Sequence, residues 1–385
     1  MKILHICSYY NTSSLYKHLF KSISNIDNKM EQKIYIPMAI DASLCPEDHG
    51  TVRCKTDDYD RVEHIYKEVF NKNDRFIFSL KNLKMYKGLL NSVDIQNIDF
   101  IHAHSLFANG NIAYKIKKEK NIDYIVAVRA TDVEVFLRKM VHLRKLGIKI
   151  MKESKNIIFI SHNLKKEVIN KYVPEKYRKE IEEKSLVIPN GIDSFWYSNK
   201  NELNNIKKDN TDLLKLIYIG TLHKRKNVDK IIDVFESLNN HNIPTRLEIV
   251  GGGPDKSKID SKIEKSQYCE MCTINTWTNN REELLLKYKN SDIFIMPSVK
   301  ETFGISYLEA LSQGKPIIYT KNDGVDGYFK DGEVGYSVDP NNIEYIVECI
   351  KNIVDDYDDI SERCIQNSRK FSWDKIAEKY INIYE

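Results

Sequence analysis

Short apolar runs alternate with longer stretches in which apolar residues return every three or four positions, along the whole of this 385-residue chain. The runs predict strands at Lys2–Cys7, Lys33–Pro37, Phe100–Ala103, Tyr124–Val128, Ile157–Ile160 and Leu186–Ile188 in the first half. In the second half they predict Leu214–Ile219, Arg246–Val250, Met271–Trp277, Ile293–Met296, Pro316–Tyr319 and Gly335–Val338. Most are short and apolar throughout, as parallel strands covered on both faces are. Their alternation with helical segments predicts two doubly wound α/β units. The stretch Ser198–Asp212, rich in Asn, Lys and Asp, reads as the linker between them. The tail from Phe371 reads as an amphipathic helix that Ser372 caps. Neither half carries Gly-x-Gly-x-x-Gly, which argues against a dinucleotide dehydrogenase.

Composition narrows the class. A chain of this length exceeds what one core normally carries. Hydrophobic residues at 42% and charged residues at 30% suit an ordinary soluble protein. No apolar run approaches the ~20 residues that span a bilayer. The N-terminus lacks a signal peptide's apolar core, so the expected location is cytoplasmic. Seven scattered cysteines argue against a disulfide framework. Cys269-Glu-Met-Cys272 has metal-knuckle spacing, but no second pair completes a site. Asp355-Asp-Tyr-Asp-Asp359 reads as a solvated loop. A net charge of +4 is too small for a dedicated nucleic-acid binder, so no nucleic-acid partner is expected. The distribution of charge says more. Residues 136–155 interleave Arg138, Lys139, Arg144, Lys145, Lys149 and Lys152 with apolar positions. Such a segment either rests peripherally on an anionic membrane surface or is a half-buried helix with solvated lysines.

The richest chemistry lies in Lys300-Glu-Thr-Phe-Gly-Ile-Ser-Tyr-Leu-Glu309. Glu301 falls in a strand-to-helix loop and Glu309 inside the following helix, which Gly314 ends. The free amides near Phe303, Gly304 and Ile305 form a ready anion site. Gly304 removes the side chain that would keep a ligand from the backbone. A carboxylate at each end of an anion cradle suits a ligand with phosphates and hydroxyls, such as a nucleotide sugar.

These residues resemble the retaining glycosyltransferases of family 4. The likeness includes Glu-Ala-Leu-Ser-Gln-Gly-Lys-Pro from Glu309, Ile219-Gly-Thr-Leu222 with Lys226-Asn-Val-Asp229, and Ile188-Pro-Asn-Gly-Ile-Asp193. Val250-Gly-Gly-Gly-Pro254, Met296-Pro-Ser298 and Gly324-Val-Asp-Gly327 follow in the family's order. The resemblance implies the GT-B fold: two doubly wound Rossmann-like domains facing a deep interdomain cleft. It places an acceptor-binding domain at 1–195, a nucleotide-sugar-binding domain at 196–370, and a C-terminal helix at 371–385 that crosses back to the first domain. It implies transfer of a sugar from a nucleoside-diphosphate sugar, UDP-sugar favoured, to a glycan or polyprenyl-linked glycan acceptor in bacterial cell-surface polysaccharide assembly, such as capsule. No cofactor or metal is expected beyond the donor itself. The alternative is a glycosyltransferase-like scaffold subunit without turnover.

The resemblance also implies roles. Glu309 accepts from both ribose hydroxyls, as a carboxylate's lone pairs allow. Glu301 contacts the transferred sugar. Lys226 meets the diphosphate as a compact ammonium. Gly220, Thr221, Arg225, Thr302, Phe303, Gly304 and Ile305 surround the donor. Position in the chain alone, and not the resemblance, places Trp277 and Asn279 near the base. Retention is expected by same-face attack, with the leaving phosphate assisting deprotonation of the acceptor.

The first half departs from the family. Its glycine-rich loop is replaced by Ser8-Tyr-Tyr-Asn-Thr-Ser-Ser14, whose hydroxyls suit helix capping. Thr221 stands where the family has Arg. Arg129 stands where it often has a reacting-centre His, and either binds an acidic group or pairs with Asp132. His104 is expected to face the cleft, or else to be a core histidine.

Overall fold

The computed structural model describes residues 1–40, 61–198 and 213–385. Cys45, Cys54 and almost all of the expected linker lie outside them. The chain divides into two units. The first comprises Met1–Ile160, Leu164–Pro189 and Trp373–Glu385; the second comprises Ser161–Asn163 and Asn190–Ser372. The main division thus falls at Pro189, a few residues before the boundary expected from sequence.

Unit 1 holds a seven-stranded parallel sheet. Its strands are β1 (Lys2–Ile6), β2 (Glu31–Ala39), β3 (Val62–Phe70), β4 (Phe100–Ala103), β5 (Tyr124–Val128), β6 (Asn156–Phe159) and β7 (Ser185–Val187). They run in the order β3-β2-β1-β4-β5-β6-β7. Unit 2 holds β8 (Leu214–Ile219), β9 (Thr245–Val250), β10 (Cys272–Asn275), β11 (Ile293–Ile295), β12 (Ile317–Thr320) and β13 (Gly335–Val338). Their order is β10-β9-β8-β11-β12-β13, again all parallel. Both units are Rossmann-like, and in each the direction of winding reverses once: between β1 and β4, and between β8 and β11. At such a point the connections leave to opposite sides and open a crevice at the strands' carboxyl ends.

Sequence reading overlooked β3. Its sequence, Val-Glu-His-Ile-Tyr-Lys-Glu-Val-Phe, is largely exposed, because the strand lies at the sheet edge. Solvent on one side removes the continuous apolar run that marks the interior strands, and charged residues suit an edge. The strand expected at Met271–Trp277 is shorter, since a 3-10 turn at Cys269–Met271 precedes it.

The C-terminal helix, Trp373–Tyr384, belongs to the core of unit 1. Trp373, Ile376, Ala377, Tyr380, Ile381 and Tyr384 recur at helical spacing and are buried. They pack with Leu19, Phe20 and Ile23 of the helix Leu15–Ile26 over β1 and β4. The Tyr384 hydroxyl meets His102 Nδ1 on β4 at 2.7 Å. Replacing the fully buried Ile376 by Ala is expected to cost about 2–4 kcal/mol, seen as a lower unfolding midpoint in denaturant titration of the full chain.

Candidate functional site

The second reversal point brings the predicted residues together. β8 and β11 are neighbours, pairing Leu216 with Ile293 and Ile217 with Phe294. The loop after β8 carries Lys226, and the loop after β11 carries Glu301. The Lys226 ammonium pairs with Glu301 Oε2. The other Glu301 oxygen accepts from the Thr302 amide at 2.9 Å. Both side chains are half-buried, with 22% and 14% of their surface exposed, so the pair is screened less than a surface one.

Backbone stitching fixes Lys226. It ends the 3-10 turn Lys224–Lys226, where its amide donates to His223 O at 2.7 Å. The Val299 amide donates to Arg225 O at 2.8 Å, tying this turn to the exit of β11. Asn227, in a left-handed conformation, donates from Nδ2 to the carbonyls of Pro297 and Pro340. Arg225 and Thr221 are exposed and Gly220 is half-buried beside this turn.

The helix Ile305–Ser312 begins at Gly304, whose φ is +82°. A Cβ there would lie 2.5 Å from the Tyr307 ring. Glycine is therefore what lets the chain enter this helix. Among the described residues no acceptor stands on the amides of Phe303, Gly304 or Ile305. The Phe303 side chain is buried against Tyr328 and Phe371, so only its backbone is open to a ligand.

Glu309 is one turn into the same helix. It accepts from the Tyr288 hydroxyl at 3.1 Å. Burial pushes its carboxyl up to about 7, opposed by Tyr288 and by the charge of Arg281. Tyr288 was not foreseen; as an aromatic within the helix Arg281–Lys289 it carries no sequence signal beyond core packing. Asp323, on the loop after β12, was also missed. It accepts from the Glu301 amide at 2.7 Å and sits in the turn tripeptide Asn322-Asp-Gly324. Trp277 and Asn279 are bonded to each other, indole to amide oxygen, at 2.9 Å, with Trp277 half exposed.

Unit 1 treats its expected residues differently. His104 is fully buried, which corrects the expectation that it faces the cleft and agrees with its alternative as a core histidine. It meets His5 Nδ1 at 3.1 Å, because His5 and His102 are register partners on β1 and β4 and His104 follows on the same face. Burial pushes the ionisation of His5 down to about 3 and lowers those of His102 and His104, so all three rings are neutral. Their nitrogens lie within 4.8 Å of one another. The rings of His102 and His104, however, stack at 3.8 Å with planes only 28° apart. In-plane lone pairs so arranged do not converge on one ion, and the cluster is packing rather than a metal cradle.

Arg129 meets Asp132 through its amide, at 2.9 Å, not through its guanidinium. Asp132 also accepts from the amides of Leu106 and Phe107. The Arg129 Nε donates to the His104 carbonyl at 3.3 Å, and the guanidinium lies over the Tyr16 ring. In the serine-rich loop, Ser13 Oγ accepts from the Leu15 amide, a local cap, while Ser8 pairs with Asn109.

Residues 136–155 are not one helix. A wide turn at Asp132–Leu137 and a 3-10 turn at Val141–Leu143 precede the helix Arg144–Glu153. That helix buries Ile148, Ile150 and Met151, with Gly147 against Phe107. Its apolar face is spent on the core, while Arg138, Lys139, Val141, His142 and Lys145 are exposed.

Comparison with known proteins gives the family and the fold. Residues 199–371 match the family model described as glycosyl transferases group 1, and residues 43–194 match that of glycosyltransferase family 4. The N-acetyl-alpha-D-glucosaminyl L-malate synthase of Bacillus anthracis is 23% identical over 84% of this chain and 86% of its own. The alpha-monoglucosyldiacylglycerol synthase of Acholeplasma laidlawii is 24% identical over 67% of this chain and 66% of its own. The solved Anabaena protein HepE, in complex with UDP, superposes with a TM-score of 0.68 at 15% identity, covering 99% of each chain.

The raised acids give a pH signature. Glu309 moves from 4.5 to about 7 and Asp323 from 3.8 to about 6. Between those values the native state holds protons that the unfolded chain has released, so stability falls as pH rises. Ligand-free Glu309→Gln is expected to lose part of that decline between pH 5 and 8 relative to wild type, measured by thermal unfolding across pH. A Gly304→Ala change should cost about 1–3 kcal/mol at any pH in the same assay.

Proposed function

Because this chain belongs to the family-4 glycosyltransferases, with two Rossmann-like domains of the GT-B fold, we propose that it moves a sugar from a nucleoside-diphosphate sugar, UDP-sugar favoured, to a lipid-linked glycan, with retention and without a metal. The carrying observation is the Lys226–Glu301 pair at the reversal point of the unit 2 sheet, beside the open amides of Phe303–Ile305 and one turn ahead of Glu309. HepE in complex with UDP supports the choice of base. The A. laidlawii relative, by its name a glucosyldiacylglycerol synthase, supports an acceptor with a lipid part. The exposed cationic and apolar residues at Arg138–Lys145 suit an anionic membrane surface where such an acceptor resides, and the setting is cell-surface polysaccharide assembly such as capsule.

Each group has a defined task. Lys226 and the helix amides neutralise the diphosphate as the bond from the anomeric carbon to the phosphate oxygen breaks. Glu301, released from Lys226 by the incoming phosphate charge, orients the sugar and favours positive charge at the anomeric carbon. The acceptor oxygen attacks from the face the phosphate leaves, and its proton passes to the leaving phosphate oxygen. Ionised Glu309 accepts from both ribose hydroxyls.

Thermal unfolding with UDP, GDP, ADP and their monophosphates tests the donor. UDP at ~100 times its dissociation constant should add roughly 2.7 kcal/mol to the native state, whereas no response to any diphosphate turns the reading toward a scaffold without turnover. Glu309→Ala is expected to weaken UDP binding about 10- to 100-fold, while Glu301→Ala leaves binding nearly intact and slows transfer. Ribose hydroxyls bind the ionised Glu309, whose carboxyl titrates near 7 before binding. UDP binding therefore releases protons and tightens from pH 6 to pH 8. Calorimetry in buffers of different ionisation enthalpy reads that proton release directly.

A further inference from the structure

Three loops meet at Glu301, and the third has no part in the chemistry described so far. It follows β12, the strand beside β11. Asp323 Oδ2 accepts from the Glu301 amide at 2.7 Å, and Asp323 Oδ1 accepts from the Gly324 amide at 3.0 Å. The Gly324 amide also donates to the Glu301 carbonyl at 2.8 Å. The Glu301 peptide is thus gripped from both sides, its amide by a side chain and its carbonyl by a backbone. Gly324 has a φ of +55°, and a Cβ there would lie 3.3 Å from Glu301 Cγ. The grip is close enough to determine where the Glu301 side chain starts.

We propose that Asp323 is a positioning residue that clamps the Glu301 peptide, so that the Glu301 carboxylate is aimed at the transferred sugar once Lys226 turns to the diphosphate. The inference rests on the reading that Glu301 contacts the sugar. Without ligand, the Glu301 carboxylate is held by Lys226 and by the Thr302 amide. When a diphosphate draws Lys226 away, one of those two contacts is lost. What then fixes the residue is its backbone, and the clamp supplies that. Burial raises the Asp323 carboxyl to about 6, with the neighbouring Glu301 charge adding to the rise and the Glu301 and Gly324 amides and Lys300 opposing it.

The test uses the full chain with donor and acceptor. Asp323→Asn keeps one acceptor but sets an amide N–H₂ against a backbone N–H. Asp323→Glu keeps the charge and moves the carboxylate by one methylene. Both variants are expected to lower kcat about 10- to 100-fold while the dissociation constant for UDP changes little. Combined with Glu301→Gln, the losses should not multiply, because both changes remove the same aim. Hydrogen exchange at the Glu301 amide should quicken in Asp323→Asn. Three results would overturn the inference: multiplying losses, UDP binding that falls in step with kcat, or unchanged exchange at Glu301. If Glu301→Gln alone leaves kcat intact, the sugar-contact reading fails first and takes the clamp's purpose with it, an outcome recognisable from that single variant.

Discussion

One half-buried ion pair, Lys226 with Glu301, organises the candidate site of unit 2. Lys226 is half-buried on a turn stitched to the neighbouring loop, and its charge needs a partner at all times. Without donor that partner is Glu301. In the proposed reaction the diphosphate takes its place, and the carboxylate becomes available at the moment a sugar arrives. The arrangement follows from topology. Neighbouring strands on either side of the reversal point bring a cation and a carboxylate to pairing distance from loops far apart in sequence. Parallel strands then place every such loop at the same edge of the sheet.

Unit 1 solves a different problem at its own reversal point. Its three neutral histidines, the buried Asp132 and the Arg129 guanidinium over Tyr16 form a polar interior whose hydrogen bonds run mostly to backbone and to tyrosines. Asp132 accepts from three amides, which fixes the turn after β4 and the turn after β5 against each other. Of the departures from the family pattern in this half, Arg129 joins this interior through its Nε and over the Tyr16 ring. The serine-rich loop is held by Ser8 with Asn109 and by Ser13 with the Leu15 amide.

How much of this was legible in the sequence differed by mechanism. Interior strands announced themselves because burial on both faces demands continuous apolar runs, and most of their predicted bounds fall within a residue or two. The edge strand β3 was hidden because solvent relaxes that demand. Lys226, Glu301 and Glu309 were legible through motif spacing together with the strand-to-helix reading that placed them. Asp323 and Tyr288 were not, because their roles are set by which loops the sheet order makes adjacent, and sheet order is not a local property. Of the two readings open for His104, the core one holds, and the sequence alone does not choose between them. A histidine at a strand's carboxyl end has the same sequence appearance whether it faces a cleft or lies under Tyr16 and Phe20 of the helix Leu15–Ile26.

The C-terminal helix of unit 1 bears on how the molecule is made. Trp373–Tyr384 completes the core of unit 1, yet every residue of unit 2's main segment lies between it and the rest of that unit. During vectorial synthesis nearly all of the second unit is made before Trp373–Tyr384, while the first still lacks a face of its core. The earlier-made domain must therefore wait, with the surface of β1, β4 and the helix Leu15–Ile26 uncovered, until Trp373–Tyr384 emerges. Chaperone occupancy on nascent chains should accordingly persist longest on the part that was translated first.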